Sequence, residues 1–169
     1  LQIADAPKDV TFLIKLFKKY GKFKKILDVG CGMGAHTNLF TKKGYDCFGV
    51  DANPAMIKYA KEKYPNLKFD VQFMQNLKVK GKYDALVCIG NIIAFNKNNE
   101  EVMKTFKNFY KHLKKNGILI IQTSNSIHHI KNKDFRETFV DTGDDRKKYG
   151  IKAVYKEEIN EKKQTQTST

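Results

Sequence analysis

The sequence is poor in the residues that build disulfide or metal scaffolds. Its 169 residues include three cysteines, three prolines and no tryptophan. Cys31, Cys47 and Cys88 are too few and too scattered for a disulfide framework, and no CxxC or Cys/His cluster has metal-ligand spacing. We therefore expect free thiols in a reducing compartment and no metal site.

Long hydrophobic runs are missing as well. The apolar run ILII at 118–121 is far shorter than the roughly 20 residues that a membrane span needs. No secretory signal opens the sequence. We expect a cytoplasmic protein that does not associate with membranes. The sequence opens within an apolar pattern and closes with EKKQTQTST, so we also expect it to be part of a longer protein.

Arginine is scarce in a strongly basic chain. The formal net charge is +14, yet only Arg136 and Arg146 are arginines. Basic surfaces attract nucleic acids, but these lysines are spread along the chain and form no arginine-rich patch. We interpret them as a solvated surface, and binding of RNA stays open as an unfavoured alternative.

The apolar pattern predicts strands that alternate with helices. Residues 9–20 have the spacing of an amphipathic helix that Gly21 can end. Further helices are predicted within 37–43, at 55–64 and at 100–115, and strands at 25–30, 47–51, 68–73, 83–90 and 118–123. Near-continuous apolar strands joined by crossovers are typical of a parallel sheet covered on both faces.

The predicted fold is therefore α/β, a Rossmann-like, doubly wound and mostly parallel sheet with a C-terminal antiparallel segment. Residues 134–163 alternate in part and flank a turn-rich stretch, which favours antiparallel structure. We assign 1–126 to the core. Residues 127–169 are predicted to be a substrate-side antiparallel insertion or an incomplete C-terminal part of the same domain.

Three glycines separate the first predicted strand from the helix that follows it. Gly30, Gly32 and Gly34 let the backbone turn tightly and approach a ligand, and the start of the helix supplies amide donors. Asp51 ends the second strand, where a carboxylate can accept both hydroxyls of a ribose. This pattern indicates a cofactor of the adenosine type.

The glycine pattern also fits a dinucleotide fingerprint, so an NAD-dependent oxidoreductase stays open as an alternative. Asp28 argues against it. A carboxylate two residues before Gly30 would repel a pyrophosphate but would suit an ammonium group. A cofactor with an amino acid end fits better.

The segment LDVGCGMG at 27–34 resembles the signature of class I S-adenosylmethionine-dependent methyltransferases. YDALVCIGNIIAF at 83–95 and LKKNGILIIQTSN at 113–125 are similar to segments of the glycine and sarcosine N-methyltransferase branch. The resemblance covers about residues 9–126. It implies that the cofactor is S-adenosylmethionine and that the acceptor is a small polar molecule that receives the methyl group on nitrogen.

The resemblance also implies a set of cofactor-binding residues. The glycines would approach the methionine part, Asp28 its amino group and Asp51 the ribose. The full set is Asp28, Gly30, Cys31, Gly32, Gly34, Asp51, Ala52, Asn53, Met56, Met74, Gln75, Ile89 and Gly90. One position departs from the family pattern, because Phe73 stands where an aspartate usually receives the adenine amino group. Gln75 or Asn76 is a candidate substitute.

No catalytic triad is expected, since methyl transfer depends mainly on positioning the acceptor. Asn91, Asn125, His128 and His129 lie near the ends of the fourth and fifth strands and are candidates for positioning it. Two further interpretations stay open. One is methylation of RNA or protein by the same fold, and the other is a binding module without turnover.

Overall fold

A computed structural model describes residues 5–123 in full, together with the backbone of three strands at 138–141, 153–160 and 165–168. The chain divides into two compact units, Leu1–Thr123 and Ser124–Thr169, and each is described by itself. Asn125, His128 and His129 lie outside the described residues.

Helices and strands alternate along the first unit, as the sequence predicts. The helices are α1 (Ala6–Tyr20), α2 (Ala35–Lys42), α3 (Pro54–Lys63) and α4 (Asn99–His112). The strands are β1 (Lys25–Val29), β2 (Asp46–Asp51), β3 (Lys68–Val71), β4 (Tyr83–Cys88) and β5 (Leu113–Ile121). Two 3-10 turns interrupt the loops, the 74–76 turn (Met74–Asn76) and the 92–95 turn (Ile92–Phe95).

The five strands form one parallel sheet in the order β3-β2-β1-β4-β5. The register sets Ile26 of β1 beside Cys47 of β2 and Ala85 of β4. This order reverses direction between β1 and β4, which is where doubly wound sheets bind ligands. The predicted Rossmann-like parallel sheet is confirmed.

Both faces of the sheet are packed, because successive strand residues point to opposite sides. Ile26 packs with Leu13 and Phe17 of α1, while the next residue, Leu27, packs with Phe109 of α4 on the other side. All five of these apolar residues are almost fully buried. The continuous apolar pattern of the strands follows from this double burial.

Two helix boundaries differ from the sequence prediction. Helix α1 begins at Ala6 because the Asp5 carboxylate accepts a hydrogen bond from the Lys8 amide. Helix α4 ends at His112 and not at 115, because Leu113 already pairs with Tyr83 of β4. The third strand is also shorter than the predicted range 68–73, because it ends at Val71 and the chain then enters the 74–76 turn.

The second unit contains an antiparallel sheet of β6 (Thr138–Asp141), β7 (Ala153–Asn160) and β8 (Thr165–Ser168). Phe139 is opposite Tyr155, and Ile159 is opposite Gln166. The domain boundaries and the substrate-side role stay predictions. Within the described part of the chain, no helix is long and apolar enough to cross a membrane.

Candidate functional site

The glycine loop lies at the carboxyl edge of the sheet, between β1 and α2. The amides of Gly30 and Cys31 both donate to the Val50 carbonyl, at 2.8 and 3.0 Å. These bonds fold the loop over the end of the neighbouring strand β2. Because Asp51 is the next residue of that strand, the loop and the predicted ribose carboxylate come together.

Two of the glycines are required by packing. Gly30 has φ +77°, and a Cβ atom there would lie 2.5 Å from Cγ1 of Ile92. Gly34 has φ +83°, and its Cβ would lie 2.7 Å from the Phe69 ring. Gly32 differs, because the nearest atom to its Cβ would be the Met56 sulfur at 3.7 Å. The loop is therefore tight at both ends and open at Gly32, where a ligand can approach the backbone.

Asp51 holds the loop through its carboxylate. One carboxylate oxygen accepts the Gly32 amide and the other accepts the Asn53 amide, both at 2.8 Å. Each oxygen of an ionised carboxylate has a second lone pair, so two hydroxyls can still be accepted. The half-buried position of Asp51 at the end of β2 fits the predicted ribose contact.

Asp28 is a buried carboxylate, 3% exposed, beneath the same loop. Its Oδ2 atom accepts a hydrogen bond of 2.7 Å from the Thr37 hydroxyl. Burial raises the pKa of Asp28 above its usual range, and the nearby Asp51 adds to this, while His36 and Thr37 oppose it. A ligand ammonium beside Asp28 would stabilise the ionised carboxylate.

In the predicted adenine pocket, the Gln75 side chain is hydrogen-bonded to another residue of the protein. Met74 is buried and Met56 half-buried, whereas Phe73 is 62% exposed. The Gln75 side-chain amide donates to Oδ1 of Asn96 at 2.8 Å. Gln75 is thus held by a neighbouring loop, and its predicted role as a substitute for the missing aspartate stays a prediction.

The remaining adenine-side candidates lie at the start of α3. The Asn53 side chain caps this helix by accepting hydrogen bonds from the amides of Ala55 and Met56, at 2.9 and 3.3 Å. Ala52 and Asn53 are exposed at the edge where β2 ends. Their position beside Asp51 is consistent with the predicted border of an adenine pocket.

The ends of β4 and β5 are joined by polar contacts that the sequence analysis missed. Gly90 donates its amide to Oε1 of Gln122 at 2.6 Å. Asn91 has a left-handed backbone, with φ 65°, and its Oδ1 atom accepts a hydrogen bond of 2.8 Å from the Thr123 hydroxyl. Ile89, Gly90 and Asn91 are half-buried at this edge. In the sequence, the only sign of these contacts is the polar pair Gln122 and Thr123 directly after the apolar run of β5.

The three cysteines are buried. Burial raises the pKa of Cys88 to about 12, and it also raises the pKa values of Cys31 and Cys47 well above the usual thiol range. Thiols of this kind stay protonated at neutral pH and are poor nucleophiles. Among residues 5–123, no cluster of three or more His, Cys, Asp or Glu side chains could hold a metal ion.

The parallel sheet carries the glycine loop, Asp51 at the end of β2 and the buried Asp28 at one edge, an arrangement that fits the S-adenosylmethionine site predicted from the sequence. A family model described as a methyltransferase domain matches residues 26–117, more than half of the chain. The chain belongs to this methyltransferase family. The cofactor of the class is S-adenosylmethionine, and the buried Asp28 and the open backbone at Gly32 fit it.

Two curated relatives are N-methyltransferases. A glycine/sarcosine N-methyltransferase from Parasynechococcus marenigrum is 30% identical over 129 residues, which are 72% of this chain and 45% of that protein. A dTDP-3-amino-3,4,6-trideoxy-alpha-D-glucopyranose N,N-dimethyltransferase from Streptomyces venezuelae is 27% identical over 97 residues, 57% of this chain and 41% of that protein. The chain thus spans about half the length of these relatives or less.

A solved structure shares the fold. An S-adenosylmethionine-dependent methyltransferase from Clostridium acetobutylicum superposes with a TM-score of 0.77 at 20% identity, covering 94% of this chain and 64% of that one. The predicted resemblance, fold and cofactor are therefore confirmed.

Proposed function

We propose that this chain binds S-adenosylmethionine at the glycine loop and transfers its methyl group to a nitrogen of a small polar acceptor. The observation that carries the proposal is the convergence of Gly32, Asp51 and Asp28 at one edge of the sheet. Asp51 would bind the ribose, the loop backbone the methionine part, and Asp28 the amino group.

The cofactor supplies a methyl group on a positively charged sulfur, so the protein's task is to orient the acceptor and keep water away. Asn91 is the described side chain best placed to orient a polar acceptor. Its strained left-handed backbone is fixed to the residues that follow β5, because its amide donates to the Gln122 carbonyl at 3.2 Å and its side chain accepts from Thr123. Ile89 and Ile92 supply apolar surface beside it.

Two observations support nitrogen as the acceptor atom. The curated relatives include enzymes named as glycine/sarcosine and amino-sugar N-methyltransferases. The buried and protonated thiols of Cys31 and Cys88 offer no cysteine nucleophile for methylation at carbon. An uncharged amine needs no strong base, because its lone pair attacks directly and the proton can leave afterwards to water.

The first experiment is a calorimetric titration with S-adenosylhomocysteine, with NADH as the competing ligand. Asp51→Asn removes the charge of the ribose carboxylate, and Asp46→Asn makes the same change at the opposite end of β2, where Asp46 lies 3.3 Å from the Lys68 ammonium. We expect saturable binding that Asp51→Asn weakens at least about tenfold and Asp46→Asn leaves unchanged.

Two outcomes of this titration would contradict the proposal. Binding of NADH without competition by S-adenosylhomocysteine would favour an oxidoreductase. The absence of binding by either ligand would favour a module without turnover. A screen of small amines with labelled S-adenosylmethionine then tests the acceptor, and salt-dependent RNA binding with methylation of RNA would favour the macromolecular alternative.

A further inference from the structure

The 92–95 turn lies between the two loops that are proposed to hold the cofactor. At its first residue, the Ile92 side chain packs directly on Gly30, where a Cβ would lie within 2.5–3.0 Å of three Ile92 atoms. At its other end, Asn96 contacts the 74–76 turn through Gln75. The 92–95 turn therefore contacts the glycine loop at one end and the 74–76 turn at the other.

The Asn96 side chain joins three elements. Its Oδ1 atom accepts hydrogen bonds from the Gln75 amide and from the Thr105 hydroxyl of α4, both at 2.8 Å. Its Nδ2 atom donates to the Ile93 carbonyl within the 92–95 turn, also at 2.8 Å, and to the Met74 sulfur of the 74–76 turn at 3.6 Å. Thr105 is completely buried, whereas Gln75 is half-buried, so a ligand can reach the Gln75 contact but not the Thr105 contact.

Helix α4 is also hydrogen-bonded to the 74–76 turn. The Asn108 side chain, 9% exposed, donates to the Met74 carbonyl at 3.1 Å. Two buried polar groups of one helix thus fix both turns on the same support, and Asn96 links them laterally. In such a fully bonded network, a change at one member alters the geometry of the others.

We propose that Asn96 is a positioning residue that couples occupation of the cofactor site to the order of the 92–95 turn. A ligand that fixes the 74–76 turn holds Gln75 on Asn96, and Asn96 then holds the Ile93 carbonyl. The 92–95 turn would become ordered when the cofactor is bound. This inference rests on the proposed function, because the ligand of the 74–76 turn is the cofactor.

Hydrogen exchange of the whole chain, with and without saturating S-adenosylhomocysteine, tests the coupling. The readout is the Asn96 amide, which closes the turn by donating to the Ile93 carbonyl at 3.4 Å. Gln75→Met removes the Gln75 hydrogen bond, the shorter of the two contacts that Asn96 makes with the 74–76 turn, and leaves the weak contact with the Met74 sulfur. Thr105→Val is the matched control, because it removes another donor to the same Asn96 oxygen but leaves the Gln75 hydrogen bond intact.

We expect the ligand to slow exchange of the Asn96 amide at least about fivefold in the native chain and in Thr105→Val. In Gln75→Met, saturated at a concentration set by calorimetry, exchange should change by less than about twofold. A purely structural role would affect both variants alike, because each loses one hydrogen bond to the same oxygen.

Three results would overturn the inference. In the first, the ligand binds but does not slow exchange of the Asn96 amide in the native chain. In the second, it slows exchange in Gln75→Met as much as in the native chain. In the third, it slows exchange in neither Gln75→Met nor Thr105→Val. If S-adenosylhomocysteine does not bind at all, the proposed function fails and the coupling fails with it. Calorimetry thus separates the two failures.

Discussion

Replacing Gly30 by alanine tests the packing of the glycine loop. Gly30 has φ +77°, and a left-handed backbone costs a residue with a Cβ about 1–2 kcal/mol. The new methyl group would also lie 2.5 and 2.6 Å from the two γ carbons of Ile92 and 3.0 Å from its Cβ. The Cβ of Ile92 cannot swing away without moving the backbone, so overpacking adds about 1–3 kcal/mol.

The sum predicts that Gly30→Ala lowers the free energy of unfolding by about 2–5 kcal/mol. Gly44→Ala is the matched control, because Gly44 has φ +87° but no atom within 4 Å of its Cβ position. That variant should lose only the backbone part, about 1–2 kcal/mol. Urea unfolding at constant m-value measures both losses.

A third variant isolates the contact. Gly30→Ala combined with Ile92→Ala removes the two closest clashing atoms, so its loss should be smaller than the sum of the single losses by about 1–2 kcal/mol. We also expect Gly30→Ala, but not Gly44→Ala, to weaken binding of S-adenosylhomocysteine. Equal destabilisation by Gly30→Ala and Gly44→Ala would refute the reasoning, since the contact with Ile92 is the difference between the two sites.

Three further predictions concern buried polar groups. Thr37→Val removes the hydroxyl that donates to Asp28 and should cost about 1.5–3 kcal/mol in urea unfolding at pH 7, so a variant as stable as the native chain would contradict it. Because burial raises the pKa of Asp28, the folded protein keeps this proton at pH values where the unfolded chain has lost it; stability should fall as pH rises above about 4. Asp28→Asn should remove that fall and also weaken S-adenosylhomocysteine binding, and an unchanged pH dependence would argue against it. The thiols of Cys31, Cys47 and Cys88 should react with a disulfide reagent at pH 8 only after unfolding, because all three are buried with raised pKa values; a fast-reacting thiol in the folded protein would show otherwise.

The fold was predictable because its signal is local. The strands of the first unit contain short apolar stretches, and each crossover carries helical spacing or a turn signal within a few residues. Asp51 was predictable for the same reason, since the end of an apolar run marks the end of a strand. The boundary of α4 was predicted wrongly, because pairing of Leu113 with Tyr83 overrides the helical pattern.

The site was only partly predictable. Gln122 and Thr123 contact Gly90 and Asn91, which lie 32 residues away in the sequence. Local periodicity carries no information on such pairs, because they depend on how β4 and β5 align. The roles of the predicted cofactor residues, and those of the acceptor-side histidines, stay predictions.

The sequence by itself determined the order of strands and helices, the glycine loop and the carboxylates at two strand ends. Local backbone preferences and burial patterns decide these features, and both can be read within a window of a few residues. Only the tertiary structure decided that Ile92 packs on Gly30. It also placed the Gln75 amide on Asn96 and buried Asp28 beneath the loop. These features arise when remote segments meet at one edge of the sheet, and the resulting burial and polar contacts set the pKa of Asp28 and the geometry of the site.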